Sequence, residues 1–193
     1  MILPSRQGYE DLRITAFAPK TSAPTQADFS TAPASYVLQS WSFANNGTER
    51  GLNGVTQIPH GITPGSDAYL HLHLSSTGAL AEGAIPGFFC SLMVQKIGVA
   101  LASAYTQLLF LGQTVPVGGY GAKTHIMTDA FTIPAAQLER SALVFVYVFR
   151  VKGTELVTDN LGAKTEAVND VLWLHEVDLH VRTNRFGTVM PTA

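Results

Sequence analysis

Charge is scarce in this chain. Only 13% of its 193 residues are Asp, Glu, Lys or Arg, about half the share of an average soluble domain. Twelve Lys and Arg face 14 Asp and Glu, a net charge of −2. That balance gives no electrostatic reason to bind nucleic acid or an anionic membrane surface. No basic cluster interleaved with aromatics is present either, so neither partner is expected. Cysteine is scarcer still. Cys90 is the only one, so no intrachain disulfide can form and a disulfide-stapled secreted mini-domain is excluded. Its setting, Phe88-Phe89-Cys90-Ser91-Leu92, is apolar and implies a buried, inert thiol. No apolar run approaches the ~20 residues of a membrane span. The start, Met1-Ile2-Leu3-Pro4-Ser5-Arg6, has no signal-peptide form, so synthesis in the cytosol is expected. Several catalytic signatures are missing too. There is no phosphate-binding Gly-rich loop opening a helix, and no serine sits in a Gly-x-Ser-x-Gly elbow. Gly118-Gly119-Tyr120-Gly121 reads as a turn. A chain so lightly charged is expected to have much of its surface covered by other subunits.

What is present is β-sheet sequence. Hydrophobic residues make up 46%, enough for one domain with a real core. Pro4, Pro19, Pro24 and Pro33 punctuate residues 1–35, which read as an extended, irregular N-terminal arm. Residues 36–43 are rich in β-formers and close on Asn45-Asn46-Gly47, a turn signal. Residues 54–59 form a second short strand. In 68–74, Leu70, Leu72 and Leu74 alternate with Tyr69, His71 and His73, the mark of a half-buried strand. Residues 91–111 fit either a helical stripe or, from Tyr105 to Leu111, a strand. Residues 132–140 fit one or two helical turns, with Thr132 near the cap and Pro134 in the first turn. Residues 143–151 are apolar on both faces, as in a central strand. In 171–181, Val177, Leu179 and Val181 share one face and Glu176, Asp178 and His180 the other. These signals predict an all-β jelly-roll or β-sandwich over residues 36–186, with at most one short helix, and a small polar C-terminal tail over 187–193.

The candidate chemistry lies in the histidines: His60, His71, His73, His125, His175 and His180. His71 and His73 leave one strand face together and could share a metal ion. With Gly65 they match half of the first motif of the cupin metalloenzymes. The carboxylate of that motif would fall on Thr77 or Gly78, and Glu82 comes too late. The second motif would start at Pro116-Val117-Gly118 but meets Gly121 where a His belongs, and His125 is out of register. A different metal site, from His71, His73, Asp178 and His180, requires the two strands to be neighbours. The competing reading makes these side chains an interface, bonded to one another and to water. Glu176 and Asp178 could be paired carboxylates for acid–base work. Equally, His180 and Arg182 continue that face as a ladder of opposite charges. No catalytic residue, cofactor or resident metal is assigned from the sequence.

Four stretches together resemble a family of tailed-bacteriophage virion structural proteins of jelly-roll type, which includes capsid decoration (cement) and head-fibre proteins. They are Tyr9-Glu10-Asp11-Leu12-Arg13; then Gln57-Ile58-Pro59-His60 with Gly65-Ser66-Asp67 and His71-Leu72-His73; an apolar strand from Leu143 ending in Arg150; and Leu174-His175-Glu176-Val177-Asp178-Leu179-His180. The chain departs from that pattern at Leu74, where a Trp is common, and at Gly187-Thr188. The resemblance implies a non-catalytic protein of the capsid surface. It also implies a homo-oligomer, a trimer, that binds the major capsid protein. His60, His71, His73, Glu176, Asp178 and His180 would then lie at an oligomer contact, whose stability would vary between about pH 5 and 8. The alternatives are a cupin-like metal-binding enzyme, or a receptor- or glycan-binding virion spike or tail component. The latter would use Trp41, Trp173 or Tyr120, although Trp173 reads more readily as core.

Overall fold

The computed structural model describes residues 7–14, 18–19, 25–28, 39–45, 50–101, 105–150, 157–159, 162–164 and 168–184. In chain order the strands are β1 (Gln7–Arg13), β2 (Ala18–Pro19), β3 (Thr25–Asp28), β4 (Gln39–Phe43), β5 (Arg50–Gln57), β6 (Ala68–Ser76) and β7 (Gly87–Gln95). They continue with β8 (Gln107–Gly112), β9 (Ile126–Met127), β10 (Phe131–Ile133), β11 (Leu143–Arg150), β12 (Val157–Asp159), β13 (Gly162–Lys164) and β14 (Leu172–Asn184). One sheet runs β10-β6-β14-β4-β3, with β1 also paired to β14 and β9 to β6; the other runs β2-β5-β11-β7-β8. From β4 onward the chain crosses between sheets at nearly every connection. β4, β6, β9–β10 and β14 fall in the first sheet, and β5, β7, β8 and β11 in the second. That order, antiparallel throughout, is a jelly roll. A separate β12–β13 hairpin lies against β8. Among the described residues no helix is long and apolar enough to cross a membrane.

The core follows from period-two alternation. Ala68, Leu70, Leu72 and Leu74 of β6 and Val177, Leu179 and Val181 of β14 are fully buried. They join Leu52, Cys90, Leu92, Val144, Val146 and Val148 of the second sheet in one cluster. Each such side chain contributes about 1.5–3 kcal/mol by leaving water. The thiol of Cys90 is buried as expected, and burial pushes its pKa up. β11 is central, between β5 and β7. Its second apolar face is also covered, since Tyr147 and Phe149 stack at 5.1 Å and pack with Phe89. Its last residue, Arg150, is 1% exposed and donates to the carbonyls of Phe43 (2.6 Å) and Val168 (2.8 Å). That guanidinium ties the ends of β4 and β11 to the chain entering β14.

Two expectations need correction. Residues 7–13, read as part of an irregular arm, form β1 and pair along their whole length with β14; β2 and β3 also join the two sheets. The prolines are compatible with this because Pro19 stands in a two-residue strand at a sheet edge, where a missing N–H costs little. The choice left open over 91–111 falls to strand at both ends, with β7 running to Gln95 and β8 starting at Gln107. The helical turns expected over 132–140 shrink to one 3-10 turn at Ala135–Gln137, capped by Pro134, while Thr132 lies in β10. Residues 187–193 lie outside the described residues.

Candidate functional site

The alternation that buries Leu70, Leu72 and Leu74 aims Tyr69, His71, His73 and Ser75 from the outer face of the first sheet. β14 does the same with Glu176, Asp178 and His180. The two strands are hydrogen-bonded neighbours, with Asp178 opposite His71, Glu176 opposite His73 and His180 opposite Tyr69. On the other side of β14, β1 places Asp11 opposite His180 and Arg13 opposite Asp178. Residues directly opposite each other on one face lie about 5 Å apart at Cβ, so long polar side chains there must meet.

They meet closely. His71 Nε2 lies 3.1 Å from His73 Nε2 and 3.3 Å from His180 Nε2. Asp178 Oδ2 lies 3.0 Å from His73 Nε2 and 3.8 Å from His71 Nε2. His180 Nδ1 bonds Asp11 Oδ1 at 2.8 Å, and His73 Nδ1 bonds His125 Nε2 at 2.8 Å. Arg13 is ion-paired with Glu176. The charge ladder expected along β14 therefore runs across strands, to β1. Within the single chain His71 is only 5% exposed and Asp178 only 7%. Burial, and then the neighbouring His180 and His73, lower the pKa of His71 to about 4, so its ring is neutral at pH 7. Burial, and then Asp178, raise that of Glu176 against the opposing pull of Arg13.

The structure thus brings His71, His73, Asp178 and His180 together and connects Glu176 to them through β1 and β14. It sets His60 apart, exposed in the turn after β5. Two further histidines, His125 and His175, join the site although their spacing did not assign them to it. His125 arrives from the segment just before β9, where nothing local marks it. His175 reaches the outer face because the register shifts between Leu174 and Glu176, a bulge that breaks strict alternation. Its ring lies between Ser40 Oγ (2.6 Å from Nδ1) and Ser75 Oγ (2.8 Å from Nε2). Burial, then His125 and His73, lower its pKa to about 4. Trp173, expected in the core, stands on this outer face instead. It alternates with the buried Leu172 and Leu174 and donates from Nε1 to Thr77 Oγ1 at 3.0 Å. Trp41 and Tyr120 pack against the core.

A groove of about 540 Å³ opens elsewhere, lined by Ile62, Thr63, Pro64, Gly65, Ser66, Ile97, Ala135, Leu138, Glu139 and Arg140. No histidine borders it. The imidazole cluster lies on the outer face of the first sheet, away from this groove.

No family model and no curated protein matches the sequence. Among solved structures the chain is similar to the CBM35 module of Abf62 from Cellvibrio japonicus, with a TM-score of 0.41 and 8% identity over 89% of this chain and 92% of that one. It is similar to a chain in the structure of infectious bursal disease virus strain Gx (TM-score 0.38, 10% identity), covering 94% of this chain and 34% of that one. A family 30 carbohydrate-binding module of a cellulosomal cellulase from Clostridium thermocellum gives a TM-score of 0.36 at 8% identity, over 92% and 99% of the two chains.

Proposed function

We propose that this chain is a non-catalytic structural protein of a bacteriophage virion, a decoration protein that attaches as a homo-oligomer to the capsid shell and stabilises it. The observation that carries the reading is the loop between β7 and β8. There Ile97, Val99 and Leu101 stand 68%, 61% and 66% exposed within five residues. Three large apolar side chains in one exposed loop mark a contact surface, and interface cores are depleted of the charge this chain lacks. The outer face of the first sheet is the surface for self-association. Exposed Tyr9 and Met127 flank the imidazole cluster there. Adhesion, not turnover, suits a protein whose titratable cluster lies outside its groove, and many copies on one lattice multiply a modest affinity.

The test is co-sedimentation of the purified protein with capsid shells built from the major capsid protein. Burying one such side chain contributes about 1.5–3 kcal/mol. The Ile97→Ser/Leu101→Ser variant should therefore bind shells at least tenfold more weakly, with unchanged unfolding. A monodisperse monomer that ignores shells overturns the reading. A second reading, a glycan-binding spike or tail component, is favoured by one observation: Trp173 stands half-buried on the outer sheet face rather than in the core. Glycan binding lost in Trp173→Ala, without shell binding, would select it.

A further inference from the structure

We propose that His71, His73 and Asp178 form a binding site for one divalent transition-metal ion of the zinc class, stapling β6 to β14 on the outer face of the first sheet. One donor atom from each of the three lies within 4.8 Å of the other two. The measured separations are 3.1 Å between the two Nε2 atoms, and 3.0 and 3.8 Å from these to Asp178 Oδ2. Donors 2.0–2.1 Å from a tetrahedral zinc ion stand about 3.3 Å from one another, and the three distances bracket that value. Two imidazoles and a carboxylate, with no thiolate, suit zinc, cobalt and nickel.

Hydrogen bonding supports the same assignment. Asp178 Oδ1 is buried and has no hydrogen-bond partner among the described residues. The carboxylate is thus taken out of water without being fully satisfied. His73 has the outer support of a metal ligand. His73 Nδ1 and His125 Nε2 share a hydrogen bond at 2.8 Å; in the tautomer whose Nδ1–H donates, the Nε2 lone pair faces Asp178 Oδ2 3.0 Å away, the arrangement that a bound divalent ion would bridge. His180 is committed likewise. Its Nδ1–H donates to the Asp11 carboxylate at 2.8 Å, and its Nε2 lies 3.3 Å from His71 Nε2. In that tautomer of His73, lone pairs crowd around His71 and His73, and a single divalent ion would relieve this without adding protons. The site needs no cavity, because its donors are fixed by strand register. It also does not depend on the attachment reading, since a monomer can hold the ion.

The experiment uses the full chain, stripped with EDTA and titrated with Zn²⁺ by calorimetry and with Co²⁺ by visible absorption. One ion per chain is expected, with cobalt d–d bands of a tetrahedral or five-coordinate site and no thiolate charge-transfer band. Zn²⁺ should raise the unfolding temperature in proportion to the logarithm of its concentration. His73→Ala and Asp178→Asn should each weaken binding at least 100-fold. His125→Ala, which removes only the supporting bond, should weaken it about 10–100-fold, and this milder variant keeps the test open if a ligand variant misfolds. His60→Ala should bind like the parent. Substoichiometric binding, or affinity unchanged in folded His73→Ala or Asp178→Asn protein, overturns the proposal.

Discussion

Acid should destabilise the metal-free protein through His175 in a way that one substitution removes. The pKa of its ring falls from 6.5 to about 4 in the fold, by burial first and by His125 and His73 next. The folded ring is thus a weaker base than the unfolded one. As pH falls below 6.5 the unfolded chain takes up the proton first, so stability is lost between 6.5 and about 4 and is intact above. One pKa unit corresponds to about 1.4 kcal/mol, which sets a ceiling of about 3.4 kcal/mol for the whole window and about 2 kcal/mol by pH 5. The ring is only half-buried, and screening reduces the second figure to about 1 kcal/mol. His175→Asn does not titrate in this range and can keep one of the two serine contacts. It should start about 1 kcal/mol less stable at pH 7.5 and then fall less steeply. Urea midpoints of both proteins in EDTA, from pH 7.5 to 5, measure the effect. The parent should lose about 0.5 M more midpoint than the variant, taking about 2 kcal/mol per M for the slope. Parallel pH profiles would refute the argument, because His71 and the carboxylates are common to both proteins.

Other perturbations probe the scaffold. Arg150→Met should cost about 3–5 kcal/mol in chemical denaturation, since it leaves the carbonyls of Phe43 and Val168 without the buried guanidinium that bonds them. Gly51→Ala should cost about 1–3 kcal/mol, because the new methyl would land on the Tyr147 ring packed over that glycine; recovery of stability in Gly51→Ala/Tyr147→Ala relative to the sum of the single changes would confirm the contact. Cys90 should ignore aromatic disulfide reagents in native buffer and react fully in urea, because the folded thiol is buried and its ionisation is suppressed.

The parts of the fold legible in the sequence are those where alternation is strict. β6 and β14 each announced which residues face the core, and the shared face of Glu176, Asp178 and His180 is where the alternation places it; β11, apolar on both faces, announced only its central place. Alternation does not say which strands are neighbours. That β6 lies beside β14 is a property of jelly-roll strand order, and it alone turns two polar stripes into one cluster. β1 was missed because its inward face offers little apolar signal beyond Leu12. Its seven residues are held by a ladder to β14 rather than by a hydrophobic stripe. The stripe over 91–111 was ambiguous because β7 buries consecutive residues there, Leu92 in the core cluster and Met93 on the opposite face, and continuous burial erases the period on which the distinction rests.

The two outer faces of the sandwich divide the labour of the molecule. On the second sheet, Phe89, Tyr147 and Phe149 are buried by packing with one another and with Leu108 and Phe110. The edge strand β8 is partly closed by Asp159, which accepts from the Phe110 amide at 3.1 Å. Apolar surface already satisfied within one chain leaves little for a partner to gain, and a capped edge resists pairing with another strand. The outer face of the first sheet is built differently. Its histidines and carboxylates are crowded, from the buried His71 and Asp178 to the exposed His125 and Asp11, and they are joined by bonds whose strength depends on protons or on an ion. The described part of the exposed loop of Ile97, Val99 and Leu101 bonds to Gln95 and Glu139, and the groove that Ile97 borders contains no residue of that cluster. Attachment through the loop and the chemistry of the imidazole face should therefore be separable. The Ile97→Ser/Leu101→Ser variant should lose shell binding while keeping its metal stoichiometry, and His73→Ala should do the reverse, because changes without shared partners act independently.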